Sequence, residues 1–397
     1  MSTMVLERRQ AAVRHADPRA LRLALFTDSY SPQLNGVALL LGRLVEAVRA
    51  RGATVRVYTT SDPAGAEADD VRRWPSVAFW AYPEHRLALP TQPRVRRELR
   101  AWRPTLVHAA SPFGMGLAAR AAARAMGVPF VTSYHTHWSA YSSFYQMGAL
   151  RGTAWHYLRW FHNGGARTYC PTQAVQDELA ARGFQHMALW SRGVDSARFN
   201  PSYRSPALRA RLGVTDDMVL AIYVGRLGAE KGLGVALRGM REVMRAAPGR
   251  VRCAIAGDGP YTEAARKLAP EGTVFMGRLT GDALSEFYAS ADVFMFPSAT
   301  DTFGNVLLEA MASGLPVVGA DVGPTRELLA EHTGVTFAPG DAADFARQLL
   351  DLVHNGSRRG GLGRNALGFA RRCTWDRVWD SLVDDYCAVT AGVSSGA

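Results

Sequence analysis

Two carboxylates eight positions apart, Asp301 and Glu309, carry the densest chemistry in this chain of 397 residues. They lie in FPSATDTFGNVLLEAMASGLPVV, residues 296–318. The pattern predicts an apolar strand over 293–296, ended by Pro297, then a short polar loop. Gly304 opens a helix that Ser313-Gly314 stops, and a second apolar strand starts after Pro316. Asp301 stands ahead of the helix, and Glu309 stands inside it. Asn305 and Glu309 are i and i+4, so they share one face. Val306, Leu307, Ala310 and Met311 take the other face, as burial against a sheet requires. The backbone N–H groups at Phe303, Gly304 and Asn305 point out of the helix mouth, which attracts anions and phosphate above all. Carboxylates beside a phosphate must grip something else. Hydroxyls are the natural candidates, and a nucleotide sugar carries them on both sides of its diphosphate. Glycine-opened helices with one or two acids are also common in α/β proteins that bind nothing there, so this segment alone leaves both readings open.

Three further stretches hold candidate groups. GRLGAEKG, residues 225–232, places Arg226 and Lys231 among Gly225, Gly228 and Gly232 ahead of a helix from Leu233. Two cations in a glycine loop at a helix N-terminus suit a diphosphate clamp. Lys231 and Lys267 are the only lysines, and chance placement of one of them there is the alternative. The loop 27–36 (TDSYSPQLNG) carries Asp28, Gln33, Asn35 and Gly36. Gly36 either lets a ligand oxygen approach the backbone or makes a tight turn into a helix. YHTHWSAYSSFY, residues 134–145, delivers His135 and His137 at the end of a strand. H-x-H without a third ligand is a weak metal signal, and no metal is expected. A lone strand-end histidine is more often structural. Trp138, Tyr141, Phe144 and Tyr145 either stack on a sugar or lipid chain or pack under a lid.

The elements that must position these groups alternate as strand and helix. Strands are predicted at 21–26, 54–58, 77–80, 105–109, 130–134, 168–170 and 187–190, with helices from Gly36, over 93–102, over 115–126, over 155–162 and after the capping Thr172. Residues 192–206 carry two prolines and no periodicity, and read as an interdomain linker. A second alternation follows, with strands at 219–224, 251–256, 273–276, 293–296, after Pro316 and at 335–337. Its helices run from Leu233, from Tyr261, and over 282–289, 342–354 and 361–372. A final amphipathic helix over 375–389 turns Trp375, Val378, Trp379, Leu382, Val383 and Tyr386 inward. The fold class is therefore α/β, with two doubly wound units whose strand carboxyl ends line a central cleft. The two halves do not repeat each other in sequence. The expected division is a mobile arm at 1–20, a first Rossmann-like domain at 21–196, a second at 197–373, and a closing helix and tail at 374–397.

Composition removes several classes. A hydrophobic content of 48% suits substantial cores, and no apolar run reaches the roughly 18 residues of a membrane span. The first twenty residues lack an apolar stretch, so no secretory signal is expected. The four cysteines (Cys170, Cys253, Cys373, Cys387) are scattered and read as free thiols of a reducing cytoplasm. A net charge of +11 and a pI near 9.8 fit an anionic substrate or an anionic membrane face. No strand interleaves aromatic and basic residues, so nucleic acid is not an expected partner. The three-glycine dinucleotide fingerprint is missing from both halves, which argues against an oxidoreductase. The presence of both acids and both cations argues against a dead sugar-binding relic.

Taken together, DSYSPQLNGV, SYHTHW, WSRGVD, YVGRL–EKG, AGDGP and FPSATDTFGNVLLEAMASGLPVV resemble the retaining GT-B glycosyltransferases of family 4 type, from about Leu21 to Tyr386. The SYHTHW and WSRGVD stretches look most like bacterial α-mannosyltransferases that use GDP-mannose, with sugar–lipid transferases next. The resemblance implies a metal-independent transfer of a hexose, without a cofactor, from a nucleotide sugar to a lipid, glycolipid or glycan hydroxyl. The alternative it leaves is a UDP-glucose or UDP-galactose transferase acting on diacylglycerol or another membrane lipid. It implies that Arg226 and Lys231 hold the donor diphosphate, Glu309 the ribose, and Asp301 the hydroxyls of the donor sugar. His135 would lie beside that sugar, and the Gly36 loop would close over phosphate and sugar. Met276, Phe303, Gly304, Asn305 and Val306 complete the expected donor-binding set. The family's usual residue at the place of Asp301 is glutamate, so this carboxylate is one methylene shorter and sugar identity is in doubt. A cytoplasmic enzyme, peripheral at the inner membrane face, is the expected setting.

Overall fold

The computed structural model describes residues 17–33, 35–62, 65, 68–79, 82–135 and 151–394. Thirteen of its strands form two parallel sheets. The first sheet has the order Val71–Trp74, Thr54–Thr60, Arg22–Phe26, Leu106–Ala109, Phe130–Ser133, Arg167–Cys170, Met187–Leu189. The second has the order Val274–Gly277, Val251–Ala256, Val219–Val224, Val293–Phe296, Val317–Ala320, Gly334–Phe337. In each, the chain starts in the middle, winds outward, returns to the middle and winds the other way. The winding reverses between Arg22–Phe26 and Leu106–Ala109 in the first sheet, and between Val219–Val224 and Val293–Phe296 in the second. Loops leaving the carboxyl ends of such neighbours diverge and open a crevice, where α/β sheets hold ligands.

The central strands are near-continuous apolar runs because helices cover both faces of each sheet. Leu220 and Ile222 of one strand face one core layer, and Val219, Ala221 and Tyr223 face the other. On the first sheet, the helix Gly36–Ala50 starts where the Asn35 side chain accepts the Ala38 N–H at 2.9 Å. It buries Leu40, Leu41, Leu44, Val45 and Val48. The helix Trp375–Ser394 lays Trp379, Leu382, Val383 and Tyr386 on this same first-sheet core. The chain thus passes between the sheets twice, and the passages touch. Val194 N–H donates to the Cys373 carbonyl at 2.8 Å, beside a parallel bridge between Val194 and Thr374. Gly193 permits this approach, since a Cβ there would stand 2.5 Å from the Trp375 nitrogen.

Several elements differ from the sequence expectation. The strands Val71–Trp74 and Tyr82–Ala88 and the helices Pro206–Arg211 and Gly323–Leu329 were not anticipated. Val71–Trp74 reads VRRW and sits at a sheet edge, where charge is tolerated and the apolar signal fades. The expected strand at 77–80 is Ser76–Phe79, half of a two-stranded ribbon with Tyr82–Ala88. The supposed linker contains the turn Pro201–Tyr203. Within the stretch expected as the arm, Pro18–Ala20 forms a turn capped by Asp17. Residues 1–16 lie outside the described residues. The helix Gly356–Arg372 starts five residues before its expected position at Gly361.

Candidate active site

In the second sheet, the loops 225–232 and 297–304 leave the two strands that flank the reversal and meet across the crevice. Lys231 Nζ donates to Asp301 Oδ1 at 2.7 Å, which ties the loops together. The two side chains are only 17% and 25% exposed, so the pair stands at the crevice lip where a ligand can reach it. Arg226 pairs with the buried carboxylate of Glu230. Tyr223 donates to the Arg226 carbonyl at 3.1 Å, and Thr300 donates to the Glu230 carbonyl at 3.3 Å. The cation loop is therefore held in shape before any ligand arrives.

The helix Asn305–Ala312 begins at Gly304, whose φ of 79° is left-handed and suits glycine. Among the described residues no side chain caps this N-terminus, and its first N–H groups suit an anion. Phe303 beneath it is buried, and Asn305 is exposed. The helix buries Leu307, Leu308, Ala310, Met311 and Ala312. Val306, expected on the buried face, is only partly covered and Leu308 takes the buried place. Val306 and Met276 both pack at the margin of one core layer of this sheet. Glu309 accepts a hydrogen bond from the Tyr288 hydroxyl at 3.0 Å. Burial pushes the Glu309 carboxyl above its usual range, against the Tyr288 bond and the charges of Arg43 and Arg198. Arg43 belongs to the helix Gly36–Ala50, so that first-sheet helix looks toward Glu309. At Gly36, a Cβ would meet nothing within 4 Å among the described residues.

His135 follows the strand Phe130–Ser133 of the first sheet, and its carbonyl accepts from Thr302 Oγ1 of the second-sheet loop at 3.3 Å. Its Nδ1 faces Arg192 Nη2 at 3.3 Å, and its Nε2 faces Ser133 Oγ at 2.8 Å. Burial, then the nearby Arg192 charge, holds its pKa well below the usual histidine range, so the ring is neutral. The structure therefore brings His135, Asp301, Lys231 and the Gly304 mouth around one crevice, with Arg226 on the same loop as Lys231 and Glu309 one turn into the helix.

At the matching reversal of the first sheet, the acid is bonded by its own chain. Asp28 accepts from Ser111 Oγ at 2.6 Å and from the Met115 and Ala88 N–H groups, both at 3.3 Å. Burial raises its pKa in spite of these bonds.

Sequence reasoning did not single out Arg192, Glu230 or Tyr288. Arg192 stands in the quoted WSRGVD but is one arginine among many. The partners of Glu230 and Tyr288 exist only once the loops and helices are packed. His137, Trp138, Tyr141, Phe144 and Tyr145 lie outside the described residues. Among the described residues, no three His, Cys, Asp or Glu side chains converge as a metal site needs, and no helix is long and apolar enough to cross a membrane.

Two family models match the chain: Glycosyltransferase Family 4 over residues 34–198 and Glycosyl transferases group 1 over residues 219–355. The chain is 36% identical to the sulfoquinovosyl transferase SQD2 of Arabidopsis thaliana, over 90% of this chain and 72% of that one. It is 35% identical to a GDP-mannose-dependent alpha-mannosyltransferase of Mycobacterium tuberculosis (strain CDC 1551 / Oshkosh), over 93% of this chain and 97% of the other. Among solved structures, Anabaena Alr3699/HepE in complex with UDP superposes with a TM-score of 0.74 at 19% identity, covering 93% of this chain and 99% of that one. The chain belongs to the family 4 glycosyltransferases of group 1, with the GT-B fold, and is a hexosyltransferase that draws its sugar from a nucleotide sugar.

Proposed function

We propose that the enzyme is a retaining, metal-independent mannosyltransferase that takes mannose from GDP-mannose and passes it to a hydroxyl of a lipid, glycolipid or glycan. The observation that carries this reading is the Lys231–Asp301 pair at the lip of the second-sheet crevice, beside an uncapped helix mouth. The two charges pair with each other. A donor separates them: its diphosphate takes Lys231 and the N–H groups at Phe303, Gly304 and Asn305, with Arg226 as the second cation. Asp301 is then free to accept from the hydroxyls of the donor sugar. Glu309, with only Tyr288 bonding its carboxylate among the described residues, accepts from the ribose hydroxyls. Met276 and Val306 offer apolar surface to the nucleoside, and the open backbone at Gly36 accommodates phosphate and sugar from the first-sheet side.

Breaking the anomeric C–O bond leaves negative charge on the diphosphate and positive charge on the sugar ring. Two cations and a helix mouth stabilise the first in place, with no reorganisation at the moment of reaction. The acceptor oxygen bonds to the anomeric carbon on the face the diphosphate leaves, and the acceptor's proton goes to a diphosphate oxygen. Retention follows from that front-face geometry. Closing the two sheets over the donor excludes water and limits hydrolysis. The basic net charge fits a cytoplasmic enzyme that works peripherally at an anionic membrane face, where a lipid acceptor would be met.

Asp301 in place of the family's usual glutamate favours a second reading, in which the donor is UDP-glucose or UDP-galactose and the acceptor diacylglycerol or another membrane lipid. Thermal stability of the purified protein with GDP-mannose, UDP-glucose, UDP-galactose, GDP and UDP, without metal, separates the readings. A shift with the GDP compounds alone supports the first. A shift with the UDP compounds alone overturns it for the second, and no shift with any of them removes the site placement.

A further inference from the structure

The half-buried His135 ring is the middle of a chain of polar contacts that runs from one passage between the sheets to the other. Arg192 lies two residues before Val194, which pairs with the return passage at Cys373 and Thr374. Its guanidinium Nη2 contacts His135 Nδ1 at 3.3 Å, and His135 Nε2 contacts Ser133 Oγ at 2.8 Å. The same Ser133 oxygen lies 3.0 Å from His108 Nε2, and His108 Nδ1 lies 2.8 Å from the Tyr386 hydroxyl. Tyr386 is on the helix Trp375–Ser394 that begins at the return passage. His108, Ser133, Arg192 and Tyr386 are all buried.

A guanidinium has donors and no acceptor, so the contact with Arg192 fixes His135 Nδ1 as an acceptor. The proton of the neutral ring then sits on Nε2 and is donated to Ser133 Oγ. Both ring nitrogens are thereby occupied, and the ring cannot serve as acid or base. What His135 offers the crevice is its carbonyl, which already meets Thr302 of the opposite loop. The chain of contacts orders the ring, and an ordered ring restricts the residue that carries this carbonyl.

We propose that Arg192 and Tyr386 are positioning residues for the transfer reaction: with Ser133 and His108 they lock His135 as the Nε2–H tautomer and hold its carbonyl at the crevice. The charges that act on His135 agree with a ring locked neutral. Among the described residues, burial first and then Arg192, His108 and His162 disfavour its protonation. Arg192 has no carboxylate partner among the described residues. Its guanidinium lies over the Trp190 ring at 5.2 Å and the Phe303 ring at 6.0 Å, and its pKa is pushed down to about 9 by burial. Arg192 thus spans from the first-sheet histidine to the residue just ahead of the helix mouth. The proposal rests on the reading of the crevice as the donor site.

The test uses imidazole nitrogen NMR on the full-length enzyme, with His135→Ala to identify the signal. The expected wild-type spectrum shows His135 protonated on Nε2 and unchanged between about pH 5.5 and pH 8, the range in which a free histidine titrates. In Arg192→Met the spectrum should show the Nδ1–H tautomer beside the Nε2–H form, and Arg192→Lys should keep the Nε2–H form alone. Tyr386→Phe preserves the packing and removes only the hydroxyl. It should lower kcat for GDP-mannose turnover, or for the UDP-sugar that shifts the melt, by about tenfold at nearly unchanged donor KM, as loss of positioning does. An Nδ1–H tautomer, titration in the wild type, or full kcat in Tyr386→Phe overturns the proposal. If the spectra fit and Tyr386→Phe is slow, yet none of the five nucleotide ligands shifts the melt, the locked chain stands and the donor-site reading falls.

Discussion

The two sheets reverse their winding in the same way but fill the resulting crevices differently. In the first, Asp28 is buried and spends its carboxylate on Ser111, Met115 and Ala88 of its own chain. In the second, the acid and the cation at the lip, Asp301 and Lys231, are each partly exposed and pair across two loops. A carboxylate that bonds backbone N–H groups and a neighbouring hydroxyl closes a crevice. An ion pair between side chains on separate loops can be exchanged for a ligand, because a diphosphate replaces one partner and sugar hydroxyls replace the other. The same topology therefore yields a carboxylate bound by its own chain in one half and a candidate donor-binding pair in the other.

The largest effect should come from Lys231→Ala. With one of two cations gone, kcat should fall by about two to three orders of magnitude and donor KM should rise, with an unchanged circular dichroism spectrum. Steady-state kinetics check this, and normal turnover would erase the functional difference between the crevices. Asp28→Ala, the counterpart in the first sheet, should act on stability alone. Losing its hydrogen bonds should cost about 1.5–3 kcal/mol in denaturant melts, while calorimetry finds donor affinity unchanged.

Glu309→Gln should weaken donor binding by about tenfold, and the pH dependence identifies the cause. The folded pKa of Glu309 is raised, so relative to an ordinary glutamate near 4.3 the carboxylate takes up its proton at higher pH. Hydroxyls donate to the ionised form, so donor affinity should be full well above that pKa and fall as pH falls through it. The contribution to the stability of the empty enzyme has the opposite sign. It is present below the unfolded pKa and lost as pH rises through the folded one. Calorimetry and melting curves between about pH 4.5 and pH 7 should show both trends, and Glu309→Gln should flatten both. The smallest effect belongs to Ser111→Ala, which removes one of the bonds on Asp28. It should cost about 1 kcal/mol in the same melts and leave donor affinity alone. A loss of donor affinity there would mean that the contacts around Asp28 also serve the donor.

The sequence by itself determined the alternation of strand and helix, because buried parallel strands must be apolar runs and their helices must be amphipathic. VLAIYV, VFMF and the helix at Gly36 were legible for that reason, as were the glycines and cations of 225–232 and the acids at 301 and 309. Edge elements such as Val71–Trp74 escaped, since an edge strand pairs through its backbone and tolerates arginine. Partnership was decided only by the tertiary structure. Asp301 meets Lys231 across seventy residues of chain. Asp28, which shared a loop with candidate ligand residues, proves to be bound inward by Ser111. Arg192 could not be told from any other arginine until folding buried it beside His135. Residue type and local spacing say what a side chain can do. Whether it is exposed to a ligand or consumed by its own chain depends on which strands become neighbours, and that is settled by packing between segments far apart in sequence.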